Sequence, residues 1–298
     1  MAGSSSGATP GRSAGPTISG SRRAPPRRRR SESVDDKDPI LFDLDAESGV
    51  ATLTLNRPDR FNAFNRPMLL RWRECLDRVE RDGAIRALVV TGAGRAFCAG
   101  GEMDELESFL DASSEDRKGF LWDSVHPIAL TLERIDRPVI AALNGTARGA
   151  GLDMALMCDI RIADRGVLLA ESYIAMGLMP GDGGSWFLPR LVGVPKALEL
   201  LWTGDAIAAE EAERIGLVNR AVADGQALAE ARALAARIAR QPAAAIRFTK
   251  RAVQQGMRMD LRAHLDMVSS HMAVLEDMPD FAERVRAFKA RRQAPRGG

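Results

Sequence analysis

From residue 40 onward, short apolar and β-branched runs recur between glycine, proline and asparagine, and most are followed by stretches with apolar residues at helical spacing. Ile40–Asp45 and Val50–Leu55 read as the two strands of a hairpin turned at Ala46-Glu47-Ser48-Gly49. Pro67 stands at the start of a helix that runs to Arg81, with Leu69, Leu70, Trp72, Leu76 and Val79 as its apolar contacts. Residues 85–91 and 139–143 are further strands, separated by a polar stretch, 102–134, with helical pieces and scattered acids. Residues 158–163 and 167–170 read as strands around Asp164-Arg165-Gly166. From Pro195 the chain turns helical over 196–202 and 208–215, takes a short strand at 217–222, and continues as helices over 227–240, 242–255, 260–275 and 279–292. The pattern predicts an N-terminal extension over 1–35, an α/β core over 36–220 and a helical region over 221–298.

Two of the strands run directly into glycine-rich turns. In PVIAALNGTARGAGLDMALMCD, residues 138–159, Gly149-Ala150-Gly151 removes side chains where the backbone turns into an apolar helix. The first turn of a helix carries N–H groups without internal acceptors and the positive end of the dipole, so it suits an oxygen that gains negative charge. A carboxylate, Asp153, follows three residues after Ala150. A plain strand-to-helix junction packed with small residues would look the same. The second turn, GAGRAFCAGGEMDEL, is also glycine-rich, with Gly100-Gly101 before a helix start. If the two turns face one another and each gives one N–H to a common oxygen, they form a two-donor oxyanion hole; loss of one such donor costs about two to three powers of ten in rate.

Composition narrows the chemistry. A chain of 298 residues, 45% hydrophobic, can bury one large core with a helical appendage. Cys75, Cys98 and Cys158 are an odd number without metal-ligand spacing, which predicts reduced thiols and a cytoplasmic location. His126, His264 and His271 lie in no motif, so neither a metal site nor a Ser-His-Asp triad is expected. No apolar run reaches the roughly 20 residues of a membrane-spanning helix. Residues 1–30 hold seven arginines and no acid, which leaves 35 basic against 40 acidic residues, or −5, for the remainder. Rich in Ser, Gly, Pro and Arg, this tail reads as a disordered, solvated extension; nucleic-acid binding, an anionic membrane or organelle targeting are its other possible uses.

The segments LNRPDRFNAF, AFCAGGEMDEL, VIAALNGTARGAGLDMALMCDIRIA, GLMPGDGGSWFLPRLVG, TGDAIAAEEAERIGLVNRAV and FAERVRAFKARRQ, in this order, resemble the crotonase superfamily, also called the enoyl-CoA hydratase/isomerase family. The match covers nearly all of the chain after the first few tens of residues. The resemblance implies a ClpP/crotonase-like α/β fold of repeated ββα units with a C-terminal helical region that packs trimers, often paired into hexamers. It implies a coenzyme A thioester as substrate, with no tightly bound cofactor, and an enolate held by two backbone amides that map to Gly101 and Ala150. Arg60 and Phe61 map to a loop bordering the CoA site, with Ala99 in the same CoA-binding set. Phe288 and Arg291 map to final-helix positions that meet adenine and phosphates. A solvated arginine, a packed phenylalanine and a basic helix end at the negative pole of its dipole account for several of these residues without CoA.

One departure from the family bears on the reaction. Family hydratases hold a water between two carboxylates, one three residues after the second oxyanion amide and the other about 20 residues later. Here the first position is Asp153 and the second is Tyr173. A phenol with an ordinary pKa near 10 is a poor base at neutral pH, though it can orient a water or donate to an oxygen. Tyr173 also fits a pocket wall. Glu171 would share a face with Tyr173 if the segment is extended, and Asp182 lies in PGDGG one position from the acid of some isomerases. An ordinary turn aspartate or a helix cap before Ser185 explains Asp182 as well. Glu102, Asp104 and Glu105 read as a solvated helix start.

The expected function is therefore an acyl-CoA enzyme in which Gly101 and Ala150 stabilise a thioester enolate while Asp153, with Asp182, moves the proton and Tyr173 stands beside them as a further catalytic candidate. Hydration of a 2-enoyl-CoA leads as the commonest activity among such chains, with a double-bond shift by one acid/base as the alternative. A catalytically weak acyl-CoA-binding protein, or an RNA binder through its arginine tail, is the competing class.

Overall fold

The computed structural model describes residues 38–293, so the extension expected over 1–35 lies outside the described residues. Ten strands form two sheets among these residues: β1 (Ile40–Asp45), β2 (Val50–Leu55), β3 (Ala87–Gly92), β4 (Ala96–Cys98), β5 (Val139–Leu143), β6 (Thr146–Arg148), β7 (Ile160–Asp164), β8 (Leu168–Ala170), β9 (Ile207–Ala208) and β10 (Arg220–Val222). The larger sheet has the order β1-β2-β3-β5-β7-β10. The β1–β2 hairpin is antiparallel, with Ile40 opposite Leu55, and the remaining pairs are parallel. Of the smaller sheet, β4-β6-β8-β9, only β8 was expected, as the strand over 167–170; the other three, of two or three residues, are too short to show a period.

The sheet is buried on both faces, as parallel strands require. Along β3, Leu88 and Val90 point into a core with Trp72, Leu76 and Met68 of the helix Arg66–Arg81. Ala87 and Val89 point the other way, against Ala227, Ala231, Ala235 and Ala239 of the helix Ala227–Ala239. Those four alanines repeat every fourth residue and form a flat ridge that lets the helix lie close to the sheet. Asp164, at the end of β7, accepts hydrogen bonds from Gln226 N (3.0 Å) and Ala227 N (2.7 Å) and so fixes where that helix starts.

Boundaries shift where side chains or turns claim the backbone. The strand expected over 158–163 begins at Ile160, because Asp159 faces Val139: its Oδ2 accepts from Val139 N at 2.8 Å and its N donates to Val139 O at 2.9 Å. The strand expected from residue 217 begins at Arg220, because Leu217 N and Val218 N close the preceding helix on Ala212 O.

β3 and β5 lie side by side, and each passes at its C-terminal end into a short strand of the smaller sheet, β4 and β6. Both glycine-rich turns are thereby carried to the carboxyl edge of the parallel sheet, where open α/β folds place their ligands. The turns also touch. A Cβ on Gly151 would overlap the Cys98 carbonyl, so the helix Ala150–Leu156 can approach β4 only with glycine there. Gly151→Ala is expected to lower stability by about 2 kcal/mol or more, since the obstacle is backbone, whereas Gly83→Ala, which meets nothing within 4 Å, should leave the thermal midpoint nearly unchanged.

Candidate active site

The first turn is held by backbone pairing. Ala99 N donates to Phe61 O (3.0 Å), Phe64 N to Gly100 O (2.8 Å) and Glu102 N to Phe64 O (3.0 Å), so Gly101 forms an isolated parallel bridge with Phe64. This pairing engages the groups on either side of Gly101 and leaves its own N–H without a protein acceptor among the described residues. A side chain built on Gly101 would meet nothing within 4 Å, so open space adjoins the turn.

Glu102 anchors the turn from behind. It is 8% exposed, not the solvated helix start expected from its charge, because Arg57 Nη2 (2.8 Å) and Asn65 Nδ2 (2.9 Å) both donate to its carboxylate. The Arg57 hydrogen bond, the largest effect, holds the Glu102 carboxyl below the usual carboxylate range against the opposing cost of burial. Asn62, fully buried, ties the same loop down through Ala93 O and Ala96 O. Neither anchor is visible as a motif; both depend on which backbone groups the fold leaves unpaired.

The second turn approaches the first. Gly100 has φ of +101°, and a Cβ there would stand 3.1 Å from Arg148 O and 3.5 Å from Ala150 N. Glycine at position 100 therefore keeps clear the space beside the Ala150 amide. Ala150 is the first residue of the helix Ala150–Leu156, and its N–H, like that of Gly101, donates to no protein acceptor among the described residues.

Behind the Ala150 amide lies a cluster of buried acids. Asp153 is fully buried, and Tyr173 Oη donates to its Oδ2 at 2.7 Å. The same phenol lies 3.2 Å from Asp182 Oδ2, so one hydroxyl bridges two carboxyls. Burial pushes Asp153 up to about 7, opposed by the Tyr173 hydrogen bond and assisted by the charge of Asp182. Burial likewise pushes Asp182 up to about 6, against the hydrogen bond from Tyr173 and the proximity of His126. Tyr173 is driven upward by burial and by the adjacent acids, so its hydroxyl keeps its proton. His126 Nε2 lies 2.9 Å from Gly181 O and fixes the loop that carries Asp182.

The cluster differs from the sequence expectations in two respects. Residues Ser172–Met176 form a 3-10 turn, so Glu171 and Tyr173 are not two positions along one extended face. Asp182 is not a helix cap: the helix Gly184–Val192 starts after Gly183 with no side-chain cap. Buried contact with Tyr173, rather than turn chemistry, accounts for its position.

The residues expected at CoA fall into two groups. Arg60, Phe61 and Ala99 lie together and exposed beside the first turn; Phe61, with φ of +51°, is stacked under the Arg95 guanidinium 4.3 Å from its ring centroid. Arg95, which the sequence did not single out, joins this group. Phe288 and Arg291 lie elsewhere, on the exposed final helix Pro279–Gln293. Phe288 lines an apolar groove with Pro242, Met272, Leu275 and Phe281 that includes none of the Arg60 loop. Among the described residues no cluster of His, Cys, Asp or Glu suits a metal ion, and no helix is long and apolar enough to cross a membrane.

Comparison with known proteins places this geometry in a context. A family model described as "Enoyl-CoA hydratase/isomerase" matches residues 45–297. The chain is 37% identical over 246 residues to the 1,2-epoxyphenylacetyl-CoA isomerase of Escherichia coli K12, a match covering 83% of this chain and 94% of that one. It is 35% identical over 252 residues to the crotonyl-CoA hydratase of Syntrophomonas wolfei, covering 84% and 95%. The crystal structure of an enoyl-CoA hydratase from Mycobacterium smegmatis superimposes with a TM-score of 0.80 at 34% identity, over 85% of this chain and 96% of that one.

The buried acids have a consequence for stability. Their folded-state values, about 7 for Asp153 and about 6 for Asp182, lie above those of free carboxyls, so the stability they contribute is complete below about pH 4 and is lost as pH rises through 6 and 7. The thermal midpoint of the wild type is expected to fall between pH 5 and pH 8 by several degrees relative to Asp153→Asn, whose side chain has no proton to lose; melts across this range check it.

Proposed function

The chain belongs to the enoyl-CoA hydratase/isomerase family, and from that premise we propose that it binds an enoyl-CoA thioester with its carbonyl oxygen between Gly101 N–H and Ala150 N–H, that Asp153 takes a proton from one carbon of the acyl chain to give an enolate, and that the proton is returned at another carbon. The observation that carries the reading is the pair of unengaged amides on adjoining turns, with open space beside them and Asp153 one helical turn behind. Polarisation of the thioester by these two donors and by the positive helix end stabilises the negative charge that proton removal puts on the oxygen. Asp153, with a value near neutrality, is matched to accept and return a proton at working pH. Asp182, reached through the Tyr173 hydroxyl, gives that proton a second resting place.

Hydration of a double bond is the activity carried in the names of the hydratase relatives, and it remains within this reading. One observation favours the double-bond shift: Tyr173 stands where family hydratases have their second carboxylate, and its hydroxyl is already engaged by Asp153 and Asp182. Such a shift needs no added water, because one acid can take a proton at one carbon and return it at another. The same reading assigns Arg60, Phe61 and Ala99 to the CoA end of the substrate. It assigns the apolar faces of the C-terminal helices, with Phe288 and Arg291, to contacts between copies of the chain in a trimer or hexamer that complete a neighbour's CoA site.

Turnover of a 2-enoyl-CoA such as crotonyl-CoA, compared with that of a 3-enoyl-CoA, tests the reaction, and absence of product from both overturns it. Ala150→Pro removes the amide hydrogen at the first helical position, where proline is well tolerated, and is expected to lower kcat about 100- to 1,000-fold without loss of fold by circular dichroism. Asp153→Asn should lower kcat about 100-fold or more.

A further inference from the structure

Glu171 is the one acid of the cluster that the reaction above does not use. It follows β8, is 2% exposed, and neither of its carboxyl oxygens meets an N–H or O–H donor with good geometry among the described residues. With Leu152, Leu188, Leu200, Leu217 and Asp205 it lines a small, mostly apolar pocket. Its carboxyl lies against that of Asp153; Asp153 Oδ1, which packs against the main chain of Gly184 and feels its amide, is likewise without a well-aligned donor, since Tyr173 serves Oδ2. The charged or titratable groups around it are Asp153, Tyr173, Asp182 and Asp205, and none of them is a cation. Two adjacent buried carboxylates repel, yet become a bonded pair when one retains its proton.

We propose that Glu171 is a positioning residue for the reaction read above: its protonated carboxyl donates to Asp153 Oδ1, so that Asp153 is gripped by a hydroxyl donor on each oxygen and cannot rotate away from the substrate. The assignment of the proton to Glu171 rather than to Asp153 follows from their surroundings. Burial, the charge of Asp153 and the bond to it push Glu171 up to about 10, while Asp153 has Tyr173 to stabilise its charged form. At pH 8, above the value of Asp153 and below that of Glu171, the pair thus carries one proton, held on Glu171. Asp153 remains the member that exchanges protons, and Glu171 holds its angle.

The test separates this role from simple packing and from the functional reading itself. In the infrared spectrum of the substrate-free protein at pH 8, a protonated-carboxyl band should be present in the wild type and lost in Glu171→Gln. A wild type without that band, or a variant that retains it, overturns the proposal, and this arm needs no turnover. In kinetics, Glu171→Gln keeps a donor and should stay within about threefold of wild type, whereas the similarly shaped but donor-free Glu171→Met should lose roughly tenfold or more in kcat with little change in KM. Glu171→Met should also move the rising limb of the kcat–pH profile upward by about one unit, because the charged form of Asp153 loses a donor. Equal losses in the two variants, or an unmoved limb in Glu171→Met, overturn the proposal. Absence of turnover by the wild type with either thioester overturns the functional reading alone, the infrared result standing by itself.

Discussion

The contact between Gly151 and the Cys98 carbonyl is the constraint on which the rest of the site depends. It brings the start of a helix against the end of a three-residue strand, and thereby sets two turns from distant parts of the chain side by side. Each turn then leaves one amide unspent. At Gly101 this follows from the bridge to Phe64, whose N–H and carbonyl take up the groups on either side. At Ala150 it follows from helix geometry alone, since the first residues of any helix have no acceptor behind them. Unpaired amides are costly in a buried setting, and their persistence beside open space is what the proposed thioester oxygen would offset.

A second constraint comes from charge without a counterion. Asp153, Glu171 and Asp182 gather around one phenol, with no arginine or lysine bonded to them among the described residues. The protein contrasts two ways of burying an acid. Glu102 is ionised, bonded to cation and amide, and serves as an anchor. In the cluster around Tyr173 burial instead raises Asp153 to about 7 and Asp182 to about 6, within the range where proton transfer is easy.

Much of the framework was legible in the sequence because its signals are local. The β1–β2 hairpin, the strand Val139–Leu143 and the succession of C-terminal helices match their apolar patterns closely. Of the smaller sheet only β8 was legible, since β4 and β6 exist by pairing with each other and β9 by pairing with β8. The positions Gly101, Ala150, Asp153 and Tyr173 stood out through glycine spacing and resemblance, but their mutual geometry did not. Nothing in the order of residues says that the hydroxyl of Tyr173 bridges two acids, or that Glu102 turns inward to Arg57 while Asp104 and Glu105 remain at the surface end of their helix. Those outcomes depend on which buried polar group lacks a partner once the sheet is assembled, a property of the fold rather than of any segment.

Gly184 opens the helix behind Asp153, and a side chain there would run into Asp153 Oδ1. The aspartate is therefore fitted to a wall of main chain, and the extra methylene of a glutamate has nowhere to go while that wall stands. The reach of the acid is a property of the 180–184 loop as much as of residue 153. Lengthening the acid at 153 is thus not a matter of exchanging one side chain in place: the loop and the acid must change together.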